Sequence, residues 1–164
     1  MIGHGEAIRV RKDSTWNAPE PELTLVVNCY GEITGFCAGN DVCSRDIEGE
    51  NPLYLPQAKI YNGSCALGPG IQLVDDNHQL AEIQIELQIT RAGKSIYQGK
   101  TNTGLMKRRF EELVDYLFRE MSFPNGVFLM SGTGVVPEED FNLQHGDDVR
   151  VTINQLVLEN EVFP

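Results

Sequence analysis

No apolar run in this 164-residue chain approaches the ~20 residues that a membrane-spanning helix requires. Basic residues are also scarce. Thirteen Lys and Arg stand against 24 Asp and Glu, giving a formal net charge of -11 and a sequence pI near 4.6. The longest basic run is Lys107-Arg108-Arg109. Nucleic-acid binding is excluded as a first reading, because phosphate contact needs a basic face. The four cysteines, at 29, 37, 43 and 65, form no C-x-x-C pair, which argues against a zinc knuckle or a thioredoxin-type motif. They read as reduced thiols that mostly fill the core. The opening MIGHGEAIRV lacks the charged start and apolar run of a targeting segment, so the cytoplasm is the expected location. Those first residues read like the middle of a domain, and the chain is expected to be a piece lacking the N-terminal part of a longer protein.

With 41% hydrophobic and 23% charged residues, the composition is that of an ordinary globular chain. Its length suits one domain, residues 1–164, with a single core. ELTLVVNCY (22–30) and ITGFCAG, separated by Gly31-Glu32, give a hairpin signal. LAEIQIELQIT (80–90) alternates Ile83, Ile85, Leu87 and Ile89 with polar residues, the period of a strand with one buried face. AGK (92–94) turns the chain into a second strand, SIYQGKT. Between Met106 and Met121 the period changes. Phe110, Leu113, Val114, Leu117 and Met121 mark one face of an amphipathic helix that Pro124 and Gly126 end. GVFLMSGTG (126–134) reads as a short buried strand running into a glycine turn. DDVRVTINQLVLENEVF (147–163) alternates again, with a bend at Asn154. Residues 46–64 form the longest stretch without regular pattern, and long connections are often functional. The sum is roughly eight short strands and one main helix, a mainly β sandwich or roll with a helix packed on it.

Glu20 and Glu22 lie in PEPEL, where an apolar strand begins. Residues two apart on a strand point to the same side, so two carboxylates project together. Like charges that close repel unless a cation neutralises them or one takes a proton. Pro19 and Pro21 stiffen their presentation. Asp41, in GNDVCSRD, would complete an all-oxygen set suited to magnesium, manganese or calcium over zinc. The same acidic spacing is common on exposed strands facing water, and Asp41 alone fits a turn. Lys59 is the only lysine between Lys12 and Lys94. Beside carboxylates it could stabilise an oxyanion or move a proton, and otherwise it is a surface lysine. Thr133, in SGTG, offers a hydroxyl and a backbone N–H to a substrate carboxylate, or serves an ordinary β-turn.

Taken in order, E-x-E-L, GND-V-x-S-R-D, LPQAK, CALGP, SGT and HGDDV resemble the fumarylacetoacetate hydrolase superfamily along nearly the whole chain, from about Ile8 to Val162. The resemblance implies a mixed β-sandwich roll that usually dimerises. It implies a magnesium-type cation on Glu20, Glu22 and Asp41, an active-site lysine at Lys59, and a substrate contact at Thr133. Arg45 and Asp46 match residues that look structural. Glu48 stands where hydrolase members often carry glutamine. RKDSTWNAPEPELTLV and EGENPLYLPQAKIY look like the 2-keto-3-deoxy-pentonate dehydratase branch. That likeness implies a metal-dependent lyase converting a 2-keto-3-deoxy sugar acid, such as 2-dehydro-3-deoxy-arabinonate, to 2,5-dioxopentanoate. The alternatives are a metal-dependent C–C hydrolase or decarboxylase acting on acylpyruvates or oxaloacetate, and a catalytically silent metal-binding domain. His4 and Glu6 fall where the family has a strand, and no catalytic role is expected of them.

Overall fold

A computed structural model describes residues 1–163. In chain order the strands are β1 (Ile8–Arg9), β2 (Asn17–Ala18), β3 (Pro21–Val27), β4 (Ile33–Asp41), β5 (Cys43–Ser44), β6 (Cys65–Leu67), β7 (Gln72–Leu73), β8 (Gln84–Arg91), β9 (Lys94–Asn102), β10 (Val127–Met130), β11 (Asp147–Ile153) and β12 (Leu156–Phe163). The α-helices are α1 (Arg45–Glu50), α2 (Leu55–Lys59) and α3 (Phe110–Phe118). One sheet has the order β1-β12-β11-β8-β9, the other β10-β3-β4-β6 with β7 also on β4, and β2 and β5 form a small ribbon. The β1–β12 pair is parallel, and the other strand pairs are antiparallel. This is the expected mainly β, mixed roll. No described helix is long and apolar enough to cross a membrane.

The core lies between the two sheets. Leu23, Leu25 and Val27 of β3 and Phe36 and Ala38 of β4 pack with Ile85, Leu87 and Ile89 of β8 and Val149, Val151 and Ile153 of β11. Alternation then fixes the other side. With the odd residues of β3 and the even residues of β4 in the core, Glu22, Thr24, Cys37, Gly39 and Asp41 share the outer face of that sheet. The register pairs Glu22 with Gly39 and Thr24 with Cys37.

Several details differ from the sequence-based expectations. Among the described residues the count of strands rises to twelve, because two-residue pairings carry no visible period. Residues 46–64 hold α1, a 3₁₀ turn (Pro52–Tyr54) and α2. Helices of five or six residues complete fewer than two turns, too few to show a 3.6-residue period. Asn51, whose side chain accepts from Leu53 N–H, and Pro at the start of both latter pieces set them. α3 is shorter than the expected 106–121, because Thr103–Leu105 forms a 3₁₀ turn before it and Phe118 folds back onto Phe123, with ring centroids 5.2 Å apart. β8 begins only at Gln84, since Asn77–Leu80 is another 3₁₀ turn. β10 is a half-buried edge strand rather than a buried one. His4 and Glu6 precede β1 in an exposed turn, where His4 Nδ1 accepts from Glu159 N–H and Glu6 accepts from Gly3 N–H. Asn154 does mark the bend, with a φ of 54° between β11 and β12.

Candidate metal centre

The three acidic residues meet at the open end of the β3–β4 hairpin. Glu20 lies one step before β3, where Asn40 Oδ1 accepts its N–H at 3.1 Å and Asp41 N–H donates to its carbonyl at 3.0 Å. These bonds clamp the Glu20 backbone against the end of β4. Its side chain therefore emerges beside those of Glu22 and Asp41. One carboxylate oxygen from each of the three lies within 4.8 Å of the others. Glu20 and Glu22 are buried, at 7% and 4% exposure. The Asp41 side chain is 23% exposed, so the cluster opens to solvent on that side.

Close strand approach makes room for this arrangement at Gly39. A Cβ there would stand 2.2 Å from Thr24 Oγ1, 2.8 Å from Met130 Cε and 3.3 Å from the Glu22 carbonyl oxygen. Gly39→Ala is therefore expected to cost about 2 kcal/mol in urea unfolding, the range for overpacking a close contact. Adding Thr24→Ala should restore most of that loss. Thr24 Oγ1 is buried without a hydrogen-bond partner, so its removal sacrifices no bond.

Two cations stand on the Glu20 side. Lys59, at the end of α2, places Nζ against Glu20 Oε2 and 2.9 Å from Asp41 Oδ2. Burial opposes the lysine charge. The hydrogen bond and charge of Glu20, together with Asp41, outweigh it and raise the pKa above the ordinary lysine value. Arg45 Nη1 lies 2.9 Å from Glu20 Oε1, and its guanidinium sits over the Trp16 ring at 5.2 Å. Glu22 has no such cation. Its one hydrogen bond is from Gly132 N–H to Oε2 at 2.6 Å. Its pKa is pushed up to about 7, first by burial and then by repulsion from Asp41 and Glu20, against the opposing Gly132 N–H and Lys59.

The residues named from sequence thus separate into two groups. Glu20, Glu22, Asp41 and Lys59 come together. Thr133 stays outside the cluster, because its hydroxyl turns back to donate to the Val135 carbonyl at 3.1 Å. It lines a cleft of about 330 Å³ with Thr101, Lys107 and Ser131. The SGTG turn reaches the carboxylates through Gly132, whose φ of 91° aims its N–H at Glu22. Asp46 is structural, accepting from Ser14 Oγ and Thr15 N–H. Sequence reasoning missed the direct contact of Arg45 with Glu20. It also missed Cys43, whose thiol donates to Glu48 Oε2 at 3.0 Å.

The donor set suits a hard divalent cation, with three carboxylate oxygens and no imidazole. Glu20, Cys43 and Glu48 also lie within 4.8 Å of one another. That second group is poor for a soft ion, since burial and the bond to Glu48 raise the Cys43 pKa and keep the thiol protonated. The buried Glu22 carboxylate, without a cationic partner, marks where added positive charge is most favourable.

The chain is similar along nearly its whole length to proteins of known name. A 2-dehydro-3-deoxy-D-arabinonate dehydratase of Saccharolobus solfataricus is 46% identical over 155 residues, 94% of this chain and 52% of that protein. A probable 2-keto-3-deoxyxylonate dehydratase of Haloferax volcanii is 47% identical over 159 residues, 96% of this chain and 55% of that protein. The chain thus spans about half the length of the relatives it matches. Among solved structures, a 2-keto-3-deoxy-D-arabinonate dehydratase complexed with magnesium and 2,5-dioxopentanoate superposes with a TM-score of 0.92 at 44% identity, covering 98% of this chain and 57% of that one. The match to the family described as fumarylacetoacetate (FAA) hydrolase C-terminal runs over residues 1–163, β1 to β12 with the acidic cluster inside it, and the chain belongs to that family.

Proposed function

We propose that residues 1–164 act as one catalytic domain that dehydrates a 2-keto-3-deoxy sugar acid, such as 2-dehydro-3-deoxy-arabinonate, to 2,5-dioxopentanoate. The observation that carries this reading is the convergence of Glu20, Glu22 and Asp41 around a lysine held charged. The identity of 44–47% to dehydratases of such acids, one solved with magnesium and 2,5-dioxopentanoate, supports the substrate class.

Glu20, Glu22 and Asp41 are assigned as ligands of a magnesium ion, which when bound supplies Lewis acidity toward the C2 carbonyl and so acidifies the C3 protons. Lys59 keeps its proton between two carboxylates. Its ammonium meets the negative charge that develops at the C2 oxygen. Arg45 fixes the Glu20 carboxylate and is itself fixed over Trp16. Gly132 N–H orients Glu22. Thr133, in the adjoining cleft, receives the part of the substrate that extends away from the carboxylates. Loss of a C3 proton and the C4 hydroxyl as water leaves a 2-oxo-3-enoate that still carries its C5 hydroxyl. Transfer of a C5 proton to C3 converts it to the C4–C5 enol, which tautomerises to the aldehyde. The family resemblance implies a homodimer, and the reading places the enzyme in the cytoplasm.

The test is incubation of the protein with 2-keto-3-deoxy-arabinonate and magnesium. 2,5-Dioxopentanoate should accumulate only when the metal is present. Absence of the aldehyde above a chelated control, or release of pyruvate from acylpyruvates instead, would overturn the assignment.

A further inference from the structure

Dehydration of a 2-oxo acid needs a base for the C3 proton, and few groups beside the carboxylate cluster are free to act as one. Lys59 is held in its charged form between Glu20 and Asp41. Arg45 is permanently charged. The Cys43 thiol already gives its hydrogen to Glu48, and the Thr133 hydroxyl gives its own to Val135. Tyr61 Oη is buried. Glu20, Glu22 and Asp41 are assigned to the cation. Glu48 is left.

Its position suits the task. Glu48 sits in the first turn of α1, a helix with no buried residue, and its side chain is 34% exposed. One of its oxygens lies within 4.8 Å of a Glu20 oxygen. The Cys43 thiol anchors Oε2 at 3.0 Å, and Arg45 Nη1 stands 4.0 Å from the same oxygen. Oε1 accepts no hydrogen bond from the described residues.

We propose that Glu48 is the catalytic base, its free Oε1 taking a C3 proton from the 2-oxo acid held beside Glu20. The inference rests on the function proposed above. In the step, the C3–H bond breaks and its electron pair forms the C2–C3 double bond. The C2 carbonyl π pair moves to oxygen, where Lys59 faces the charge. The C2 carbonyl then re-forms, the C2–C3 π pair shifts to make the C3–C4 double bond, and the C4–O bond breaks. The departing hydroxyl takes the proton carried by Glu48 and leaves as water, so that the carboxylate is regenerated. The Cys43 thiol is a positioning group that holds the carboxylate in place while Oε1 works.

Pyruvate isolates the first half of this step, because it has exchangeable C3 protons and no C4 hydroxyl. Proton NMR in D₂O with magnesium should show exchange of the methyl protons by the wild-type protein. Glu48→Gln should slow that exchange about a hundredfold, the usual contribution of a positioned base. Calorimetric binding of oxalate with magnesium should change by less than about threefold, which separates chemistry from binding. Glu48→Asp should keep part of the exchange. In the metal-free protein, the infrared S–H band of Cys43 should shift on Glu48→Gln, reporting the bond to the carboxylate without any turnover. Exchange by Glu48→Gln at the wild-type rate overturns the base and leaves the dehydratase reading standing. Loss of exchange and of oxalate binding together makes Glu48 a binding residue, which also overturns it. Failure of the wild-type protein to bind either 2-oxo acid or oxalate with magnesium overturns both.

Discussion

Replacing Lys59 by methionine is expected to lower turnover about a thousandfold while leaving magnesium affinity unchanged or tighter. The two effects have different origins. Lys59 Nζ touches Glu20 and Asp41, so in the metal-free protein it does part of the neutralising that a divalent ion would do. Without that charge, the three carboxylates repel one another more strongly and gain more from a cation. The kinetic loss arises elsewhere. A fixed donor facing a developing oxyanion contributes on the order of a hundred- to a thousandfold, and Lys59 is held charged by two partners at once. Methionine preserves most of the apolar stem of a side chain that is only 15% exposed in the native site. Arginine is not a substitute, because its planar fork cannot replace a point charge between two single oxygens. Steady-state rates on a 2-keto-3-deoxy sugar acid and calorimetric titration with magnesium read the two quantities separately. Turnover within about tenfold of the wild type, or a parallel loss of magnesium binding, would remove Lys59 from the role of oxyanion partner.

How far the sequence discloses this site depends on which physical signal each part leaves. The β3–β4 hairpin and β8 are legible because each buries one face, and burial writes a period of two. That same period places Glu22 opposite to Leu23 and Leu25, away from the core, before any coordinates are known. Burial of Glu20 and Glu22 is not legible, since the acidic spacing is identical on a solvent-facing strand. What covers them is Arg45 and Lys59 on one side and the Gly132 turn on the other. Lys59 lies 39 residues from Glu20. Only the order of motifs shared with a known family joins the two. α1 and α2 are too short to show a period, although Asn51, Pro52 and Pro56 carry the local signals of a cap and of helix starts. At SGTG the sequence marks a turn, but not which atom faces the carboxylates. There the left-handed backbone of Gly132 presents its N–H to Glu22.

The metal-free protein should be less stable at pH 8 than at pH 5 by about 2–3 kcal/mol, and magnesium should remove the difference. The sign follows from Glu22, whose pKa is pushed up from 4.5 to about 7, first by burial. A carboxyl with a raised native pKa binds more protons folded than unfolded. Its contribution is fully present below about pH 4.5 and is lost as pH rises through about 7. Asp46 acts in the opposite sense, since hydrogen bonds from Ser14 and Thr15 outweigh its desolvation and hold its pKa below 3.8. Its effect is confined to more acidic solution and does not cancel that of Glu22. A bound cation replaces the proton, so magnesium affinity should rise with pH across the same window. At about a hundredfold excess over Kd, the ion adds about 2.7 kcal/mol, enough to offset what Glu22 loses. Glu22→Gln separates the causes. Its neutral amide leaves no buried charge to develop, so the metal-free variant should show a flat profile between pH 5 and pH 8 and exceed the native protein in stability at the upper end. It should also lose the stabilisation by magnesium. Urea unfolding at the two pH values, with and without the ion, supplies all four measurements. A native protein equally stable at both, or a Glu22→Gln variant still stabilised by magnesium, would show that Glu22 is neither the strained carboxylate nor a ligand.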